Sequence, residues 1–157
     1  MIDALDARLL HLLTAEPRLP VLEAARRLGV ARGTVAARLD RLQRTGVVRG
    51  FGPDVDPAAL GYPVSAYTTL EVAQGARDGL LGALEGIAEV LEASTVTGPG
   101  DLFCRVVARD NAHLQAVVDR VLALEGVLRA TTLVTLTTPL PARVLPLVDD
   151  AAQATSA

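Results

Sequence analysis

The chain has 157 residues, half of them apolar, which is enough for one ordinary domain or two small domains with buried cores. A single cysteine, and two histidines far apart in the sequence, exclude an internal disulfide framework and the usual spacing of metal ligands. Residues 1–52 carry nine arginines and five acids, whereas residues 53–157 carry six arginines and thirteen acids, so only the first part is expected to meet a polyanion.

Three helices and a short strand are predicted in residues 1–52. Leucines at helical spacing predict a helix from Asp3 to Ala15, with Asp3 as its N-cap. A second helix begins at Pro20 and ends at Gly29, and a third covers Arg32 to Thr45. Val47 to Phe51 is predicted to form the strand. Two helices joined by a tight turn, with arginines along the second, are typical of a helix-turn-helix that places one helix in the major groove of DNA.

The third helix is predicted to present one face to the core and another to DNA. Its apolar residues at i, i+4 and i+7 should contact the two earlier helices: Val35, Leu39 and Leu42. On a second face, Arg38 and Arg41 are expected to reach guanine, because a guanidinium donates two hydrogen bonds to O6 and N7; the alternative is a solvated helix face. Arg32 and Arg44 are expected to contact phosphates, and Arg49 the DNA backbone. The predicted DNA-binding residues are therefore Arg32, Thr34, Arg38, Arg41, Arg44 and Arg49.

Residues 53–61 are predicted to form a linker, and residues 62–140 a second domain of β-α-β-β-α-β order. Its predicted elements are the strand Val64–Val72, the helix Gly75–Ile87, the strands Val90–Thr97 and Leu102–Arg109 around the turn Gly98-Pro99-Gly100, a helix capped by Asp110 or Asn111, and the strand Val127–Thr138. This order is that of a ferredoxin-like module, so the expected fold class is α+β. Residues 141–157 are expected to be a tail that frays from residue 151 onward.

A ferredoxin-like sheet has two helices on one face and leaves the other face bare. The bare face is predicted to contain Val, Leu and Ala among Thr and Ser. Because a large exposed apolar surface is unfavourable in water, we expect a second copy of the chain to cover it. The sequence therefore predicts a homodimer.

Several short motifs follow one another between residues 2 and 138. The first part holds Leu5-Asp6 with Leu9-Leu10, Glu23-Ala24-Ala25-Arg26-Arg27-Leu28-Gly29-Val30, Arg38-Leu39-Asp40-Arg41-Leu42 and Gly46-Val47-Val48-Arg49-Gly50-Phe51. The remainder holds Asp56-Pro57, Leu60-Gly61, Val90-Leu91-Glu92, Val96-Thr97-Gly98 with Asp101, and Leu124-Glu125-Gly126-Val127. In their order and spacing these motifs resemble the Lrp/AsnC, or feast/famine, family of transcriptional regulators.

The resemblance implies a DNA-binding transcriptional regulator with an N-terminal winged helix-turn-helix and a C-terminal module that binds an effector and joins subunits. Similar proteins are dimers that assemble further, often into octamers, and many bind an amino acid between dimers near the turn after the module's second strand. The chain departs from the family at two places. Ala31 stands where the family often has a serine N-cap, and Gly98-Pro99-Gly100-Asp101 stands where the family commonly has Gly-Asp-Tyr-Asp.

The expected effector-binding residues lie at this turn and on the last strand: Gly98, Pro99, Gly100, Asp101, Thr135 and Thr137. Pro99 has no N–H to donate to a carboxylate, and Gly100 removes an aromatic wall. Asp101 either binds the ammonium group of a ligand or caps its own turn. Thr135 and Thr137 either line the site or are there because threonine favours strands.

Other classes of function have no support in the sequence. No Ser/His/Asp arrangement, Walker loop or dinucleotide fingerprint occurs, so neither an enzymatic activity nor a cofactor or metal is expected. The second hypothesis is a metabolite-binding regulatory module that acts through protein partners rather than DNA. The N-terminus lacks the pattern of a signal peptide and no apolar run is long enough to span a bilayer, so a cytoplasmic protein without membrane contact is expected. Cys104 alternates with apolar residues and is expected to be buried and inert.

Overall fold

The computed structural model describes residues 2–156, so Met1 and Ala157 of the predicted terminal segments lie outside it. The chain divides into two units, a helical unit of residues 1–53 and 140–157 and a sheet unit of residues 54–139. In chain order the elements are α1 Ala4–Ala15, α2 Val21–Leu28, α3 Arg32–Arg44, β1 Val64–Val72, α4 Arg77–Glu85, β2 Val90–Thr95, β3 Leu102–Ala108, α5 Asn111–Leu122, β4 Val127–Val134 and α6 Leu145–Ser156. The chain therefore leaves the helical unit before the sheet unit and re-enters it afterwards.

The first three helices have the caps that the sequence predicts. Asp3 is the N-cap of α1, where its carboxylate accepts from the N–H groups of Leu5 and Asp6, and the Asp6 carboxylate accepts in return from the Asp3 N–H. Helix α2 follows Pro20 and stops at Gly29, whose φ of 71° is a left-handed geometry that glycine adopts readily. Ala31, the N-cap of α3, makes no side-chain capping bond.

The core of the helical unit lies between α1, α2 and α3. Its buried apolar side chains are Leu9, Ala24, Ala25, Leu28, Val35 and Leu42. Val35 and Leu42 lie seven residues apart on one side of α3, which confirms the expected core face, whereas Leu39 between them is only partly buried. One side of α3 is therefore fixed against the protein, and the opposite side is available to solvent.

The strand expected over Val47–Phe51 is absent, and the prediction is wrong. The Val48 N–H donates to the Leu42 carbonyl at 3.0 Å, so this stretch begins as the closing turn of α3, and residues 50–56 are irregular. A strand needs a neighbour for its ladder of hydrogen bonds, and the described residues of the helical unit contain no second strand.

The C-terminal segment is helical, which corrects the expectation of a frayed end. Residues 151–156 belong to α6, and Val148 and Ala152 of α6 are buried with Ala7 of α1. Asp149 adds a contact of 2.7 Å between its Oδ1 and Nε2 of His11. Val148 and Ala152 lie four residues apart on one side of α6, and their packing against α1 stabilises this helix at the end of the chain.

The sheet unit has the predicted ferredoxin-like topology. Four antiparallel strands lie in the order β2-β3-β1-β4, and β1 covers the predicted residues. The inner face packs against α4 and α5, with a core of Ala66, Leu70, Leu80, Leu84, Ile87, Leu102, Cys104, Val106, Ala108, Leu114, Val117 and Val121. Burial raises the pKa of the Cys104 thiol, in line with the expected inert cysteine.

Two strands end earlier than predicted, β2 at Thr95 and β4 at Val134. The Thr135 N–H still donates to the Ser65 carbonyl at 2.8 Å. Because β1 begins at Val64, which is level with Leu136 in this register, residues after Leu136 run past the end of β1, and Thr137 lies in irregular chain. The predicted extension to Thr138 therefore has no strand to pair with.

The outer face of the sheet carries exposed apolar side chains, because both helices of the sheet unit pack on the inner face. Tyr67 and Phe103 stack with their ring centroids 5.2 Å apart. Leu133 lies opposite Tyr67 in the register of β1 and β4, and it is 65% exposed. Arg105, the partner of Tyr67 on β3, has a buried Nε without a hydrogen-bond partner among the described residues.

Candidate nucleic-acid interface and effector cleft

The solvent side of α3 is defined by the two residues that anchor its core side. Opposite Val35 and Leu42 lie four exposed positions at i, i+4, i+7 and i+11, here called the outward line: Gly33, Ala37, Asp40 and Arg44. The first half of this line carries only glycine and a methyl group. The second half carries an ion pair, in which Arg44 Nε donates to Asp40 Oδ2 at 2.9 Å.

Arg38 and Arg41 lie between the core side and the outward line, and both are engaged with α1. Arg38 donates from one terminal nitrogen to Asp3 Oδ2 at 2.6 Å and to Asp6 Oδ1 at 2.8 Å, while Arg41 donates to the other oxygen of Asp6. Asp6 is fully buried, and Arg38 is 25% exposed. These four residues form a network, here called the cap network, that joins the N-terminus of α1 to the middle of α3.

The charges of the cap network lower the pKa of both carboxyl groups. Hydrogen bonding by Arg38 is the main cause of the lowered pKa of Asp3, and the Asp6 N–H adds to it. Burial tends to raise the pKa of Asp6, but the hydrogen bonds from Arg41, the Asp3 N–H and Arg38 outweigh burial and lower it. Both acids are therefore ionised at neutral pH, and the network keeps its charges.

The other four predicted DNA-binding residues, Arg32, Thr34, Arg44 and Arg49, are exposed. The structure thus separates the six candidates into four at the surface and two that contact α1. Sequence reasoning identified Asp3 as the N-cap of α1 but did not identify Asp3 or Asp6 as a partner of Arg38 and Arg41. The sequence shows two acids at the start of α1 and two arginines three residues apart on α3. Only the packing of α1 against α3 shows that these acids and arginines form ion pairs.

The predicted effector turn is held against β1. The Asp101 N–H donates to the Leu70 carbonyl at 2.8 Å, and Asp101 Oδ2 accepts from the Val72 N–H at 2.7 Å. Gly100 has a φ of 102°, and a Cβ there would lie 2.3 Å from the Thr69 side chain, so this position requires glycine. Asp101 thus caps the end of β1 with one carboxylate oxygen.

Thr135 and Thr137 do not lie with this turn in a single subunit. Thr135 is beside Ser65 at the start of β1, whereas Asp101 is beside Leu70 and Val72 at its end. Five residues of strand separate Ser65 from Leu70, a distance of about 17 Å. Within one chain the six predicted effector residues therefore form two separate groups.

A cleft of about 450 Å³ opens beside Asp101 at the end of β1. It is lined by Val72, Ala73, Gln74, Gly75, Arg77, Asp78 and Asp101. Arg77 begins α4, so the cleft combines a guanidinium and a helix N-terminus with two carboxylates. Sequence reasoning missed Arg77 and Asp78, since nothing in their spacing from Asp101 indicates that they share a cleft.

A helix-turn-helix unit joined to a ferredoxin-like unit with a ligand-sized cleft defines a class of DNA-binding regulators with their own ligand-binding domain. Two family models match, the AsnC-type helix-turn-helix domain at residues 2–43 and the Lrp/AsnC ligand binding domain at residues 65–145. The chain belongs to the Lrp/AsnC family of transcriptional regulators, as its motifs implied. It is a sequence-specific DNA-binding regulator, and action through protein partners alone is not favoured.

Relatives match over nearly their whole length. The regulatory protein AsnC of Escherichia coli strain K12 is 30% identical and aligns over 93% of this chain and 97% of its own. The transcriptional regulator Rv2324 of Mycobacterium tuberculosis is 34% identical over 86% and 92% of the two chains. The structure of E. coli AsnC superimposes with a TM-score of 0.83, covering 93% of this chain and 99% of the other. A feast or famine regulatory protein of M. tuberculosis in complex with L-methionine is 27% identical, with a TM-score of 0.80 over 92% of this chain and 98% of the other.

Within the described part of the chain, none of the helices is long and apolar enough to cross a membrane. No group of three or more His, Cys, Asp or Glu side chains is placed to hold a metal ion in residues 2–156.

Replacing Asp6 by Asn should destabilise the helical unit at pH 7. Asp6 is fully buried, so removing its charge leaves Arg38 and Arg41 with one carboxylate fewer, at a cost of about 2–3 kcal/mol. Urea unfolding of the variant and the wild type measures the difference. Asp40→Asn removes an exposed i,i+4 pair and should change the free energy of unfolding by less than about 0.5 kcal/mol.

The effect of Asp6→Asn should also depend on pH. Because the folded-state pKa of Asp6 lies below its unfolded-state value, the carboxylate stabilises the protein above about pH 4 and loses this effect as the pH falls through the folded-state pKa. The difference between wild type and variant should therefore be constant near neutrality and shrink in acid. A difference that stays constant down to the acid transition, or equal losses in Asp6→Asn and Asp40→Asn, would contradict the cap network.

Proposed function

We propose that the protein regulates transcription by placing α3 in the major groove of its operator, with the outward line toward the bases. The observation that carries this proposal is the division of α3 into a core side, a side bonded to α1 and an exposed side. Helix-turn-helix proteins bind the duplex through such an exposed helix while the preceding helix braces it. A cytoplasmic location follows from this role.

The ion pairs of residues 2–52 indicate which arginines bind phosphates. All five acids of this segment are paired with arginine: Asp3, Asp6, Glu16, Glu23 and Asp40. The net positive charge is therefore carried by the four arginines that pair with none of them, Arg8, Arg18, Arg32 and Arg49. Arg32 and Arg49 flank α3 and are exposed, and together with Thr34 they are suited to position the helix on the DNA backbone. Arg38 and Arg41 contribute indirectly, because their ion pairs with Asp3 and Asp6 hold α3 against α1.

Arg32→Ala and Arg49→Ala should each weaken DNA binding at every sequence. Each phosphate contact releases counterions, so each variant should reduce the slope of log affinity against log salt by about 1 for each bound subunit. Fluorescence anisotropy with an operator duplex and an unrelated duplex, over a range of salt, measures this. Arg109→Ala, an exposed arginine of the sheet unit, is the matched control and should leave the slope unchanged. An unchanged slope in the first two variants would remove them from the interface.

We further propose that the outer face of the sheet joins two copies of the chain. The stacked Tyr67 and Phe103, together with exposed Leu133, make an apolar patch on a face that no helix of the sheet unit covers. The buried Nε of Arg105 has no acceptor among the described residues, and an acceptor from a partner would satisfy it. The two helix-turn-helix units of one dimer would bind successive major grooves of a near-palindromic site.

Leu133→Asp should weaken the dimer about a hundredfold, because it places a charge in the apolar patch. Sedimentation equilibrium gives the dissociation constant. Leu147→Asp is the control, since Leu147 is 68% exposed, as Leu133 is 65%, but lies on α6. Association that is as tight in Leu133→Asp as in Leu147→Asp would show that subunits meet elsewhere. Assembly beyond the dimer, such as an octamer, would appear as a further species in the same runs.

The effector we propose is an amino acid bound in the cleft beside Asp101. The cleft carries Arg77 for a carboxylate and Asp101 for an ammonium group, so its charges match a zwitterion. The M. tuberculosis relative with L-methionine supports this ligand class. Gly98, Pro99 and Gly100 shape the edge of the cleft, and Thr135 and Thr137 would contribute from another subunit. Binding at a contact between dimers would shift assembly only if the ligand has different affinities for the two states.

L-Methionine serves as the probe for the cleft. Asp101→Asn keeps an acceptor for the Val72 N–H but removes the charge, so it should weaken L-methionine by about tenfold while leaving N-acetyl-L-methionine unaffected. Isothermal titration calorimetry of both ligands separates the ammonium contact from a general loss of folding. Asp119→Asn on α5 is the control. Equal affinities for L-methionine in Asp101→Asn and wild type would place the ligand elsewhere.

A further inference from the structure

We propose that Arg44 recognises a guanine in the major groove and that Asp40 is the positioning residue that holds it for this contact. The inference rests on the proposed placement of α3 in the groove. It assigns a base contact to the far end of the outward line, where the sequence alone indicated a phosphate contact.

The geometry of the Asp40–Arg44 pair leaves the guanine-binding edge of Arg44 available. Asp40 accepts from Nε, and no described residue accepts from the two terminal amino groups. Those two groups are the ones that donate bidentately to O6 and N7 of guanine. A guanidinium fixed through Nε loses less freedom when it binds, so the pair pre-organises the donor.

The charge of Asp40 also requires an explanation on this surface. Asp40 is exposed and lies on the side of α3 that faces away from the core, where a carboxylate would be repelled by DNA phosphates. An isolated surface pair of this kind contributes little to stability. An orienting role for Asp40 explains why a carboxylate lies on the outward line. By holding Arg44 in position, Asp40 improves selectivity for one base, and its charge lowers the affinity for DNA of any sequence.

The remaining composition of the outward line favours close approach to the bases. Gly33 and Ala37, with the exposed Ala36 beside them, place little side-chain volume on the N-terminal half of α3. The methyl groups of Ala36 and Ala37 suit contact with the methyl group of thymine. Arg38 and Arg41 are engaged with Asp3 and Asp6. Arg44 is therefore the arginine of the outward line itself, and it lies in the last turn of α3.

The test is selection of binding sites from a random duplex library by the full-length protein, followed by affinities for the selected site and for single-base changes in it. The wild type should select a guanine at symmetry-related positions, preferred over other bases by about tenfold. Arg44→Ala and Arg44→Lys should both lose this preference at those positions and keep it at all others. Lysine retains the charge but not the fork of two donors, so its failure separates base recognition from phosphate binding.

Asp40 variants test the positioning role. Asp40→Ala should reduce the guanine preference while binding unrelated DNA more tightly, and Asp40→Asn, which can still accept from Nε, should restore part of the preference. Glu23→Ala removes the equivalent i,i+4 partner of Arg27 on α2 and should leave every base preference unchanged. Thermal unfolding of each variant establishes that it is folded.

The possible outcomes are distinct. If Arg44→Ala weakens all sequences alike and lowers the salt slope, Arg44 binds a phosphate and the proposal is overturned. If Arg44→Lys keeps the guanine preference, bidentate recognition is wrong, and if Asp40→Ala keeps it, the positioning role is wrong. If the wild type selects no sequence at all, the placement of α3 in the groove fails, which is a separate result.

Discussion

The cap network on which the helical unit depends uses the same two carboxylates twice. Asp3 and Asp6 satisfy the free N–H groups at the start of α1, and they also bind Arg38 and Arg41 of α3. A helix end and a helix–helix contact are therefore formed by one set of charges. Because the network holds one flank of α3 while Val35 and Leu42 hold the core side, the rotation of α3 about its own axis is fixed, and with it the set of residues that can face DNA.

Features that depend on near neighbours in the chain were predictable. The Asp3 cap, the stop at Gly29 and the strand Val64–Val72 each follow from a pattern of a few residues, and each occurs as predicted. Features that depend on a partner far away in the sequence were not predictable. The segment Val47–Phe51 has the composition of a strand but no neighbouring strand, and the end of the chain follows several prolines but forms a helix that packs on α1.

The residues of the candidate site also divide into those that the sequence identifies and those that only the packing reveals. Residue type and helical spacing identified the arginines of α3, but a period of 3.6 residues places Arg38 and Arg41 on a flank without saying what lies beside it. On the effector side, Asp101 was found from its turn, whereas Arg77 comes to the cleft only because α4 begins beside the end of β1. Gly100, which appeared to remove a wall from the cleft, is required by the close approach of Thr69.

The arginines of residues 2–52 therefore have two different physical roles. Arginines that are paired with acids add no net charge, so they contribute little to the salt-dependent attraction between the protein and DNA. Their guanidinium groups are, however, held in place by the acids. Those that pair with none of these acids, such as Arg32 and Arg49, supply the attraction without a fixed geometry. Affinity and selectivity then rest on separate side chains, and a change in one need not alter the other. The sheet unit, residues 54–139, holds eleven acids and five arginines, and this excess of acids repels phosphate and leaves the approach to DNA to the helical unit.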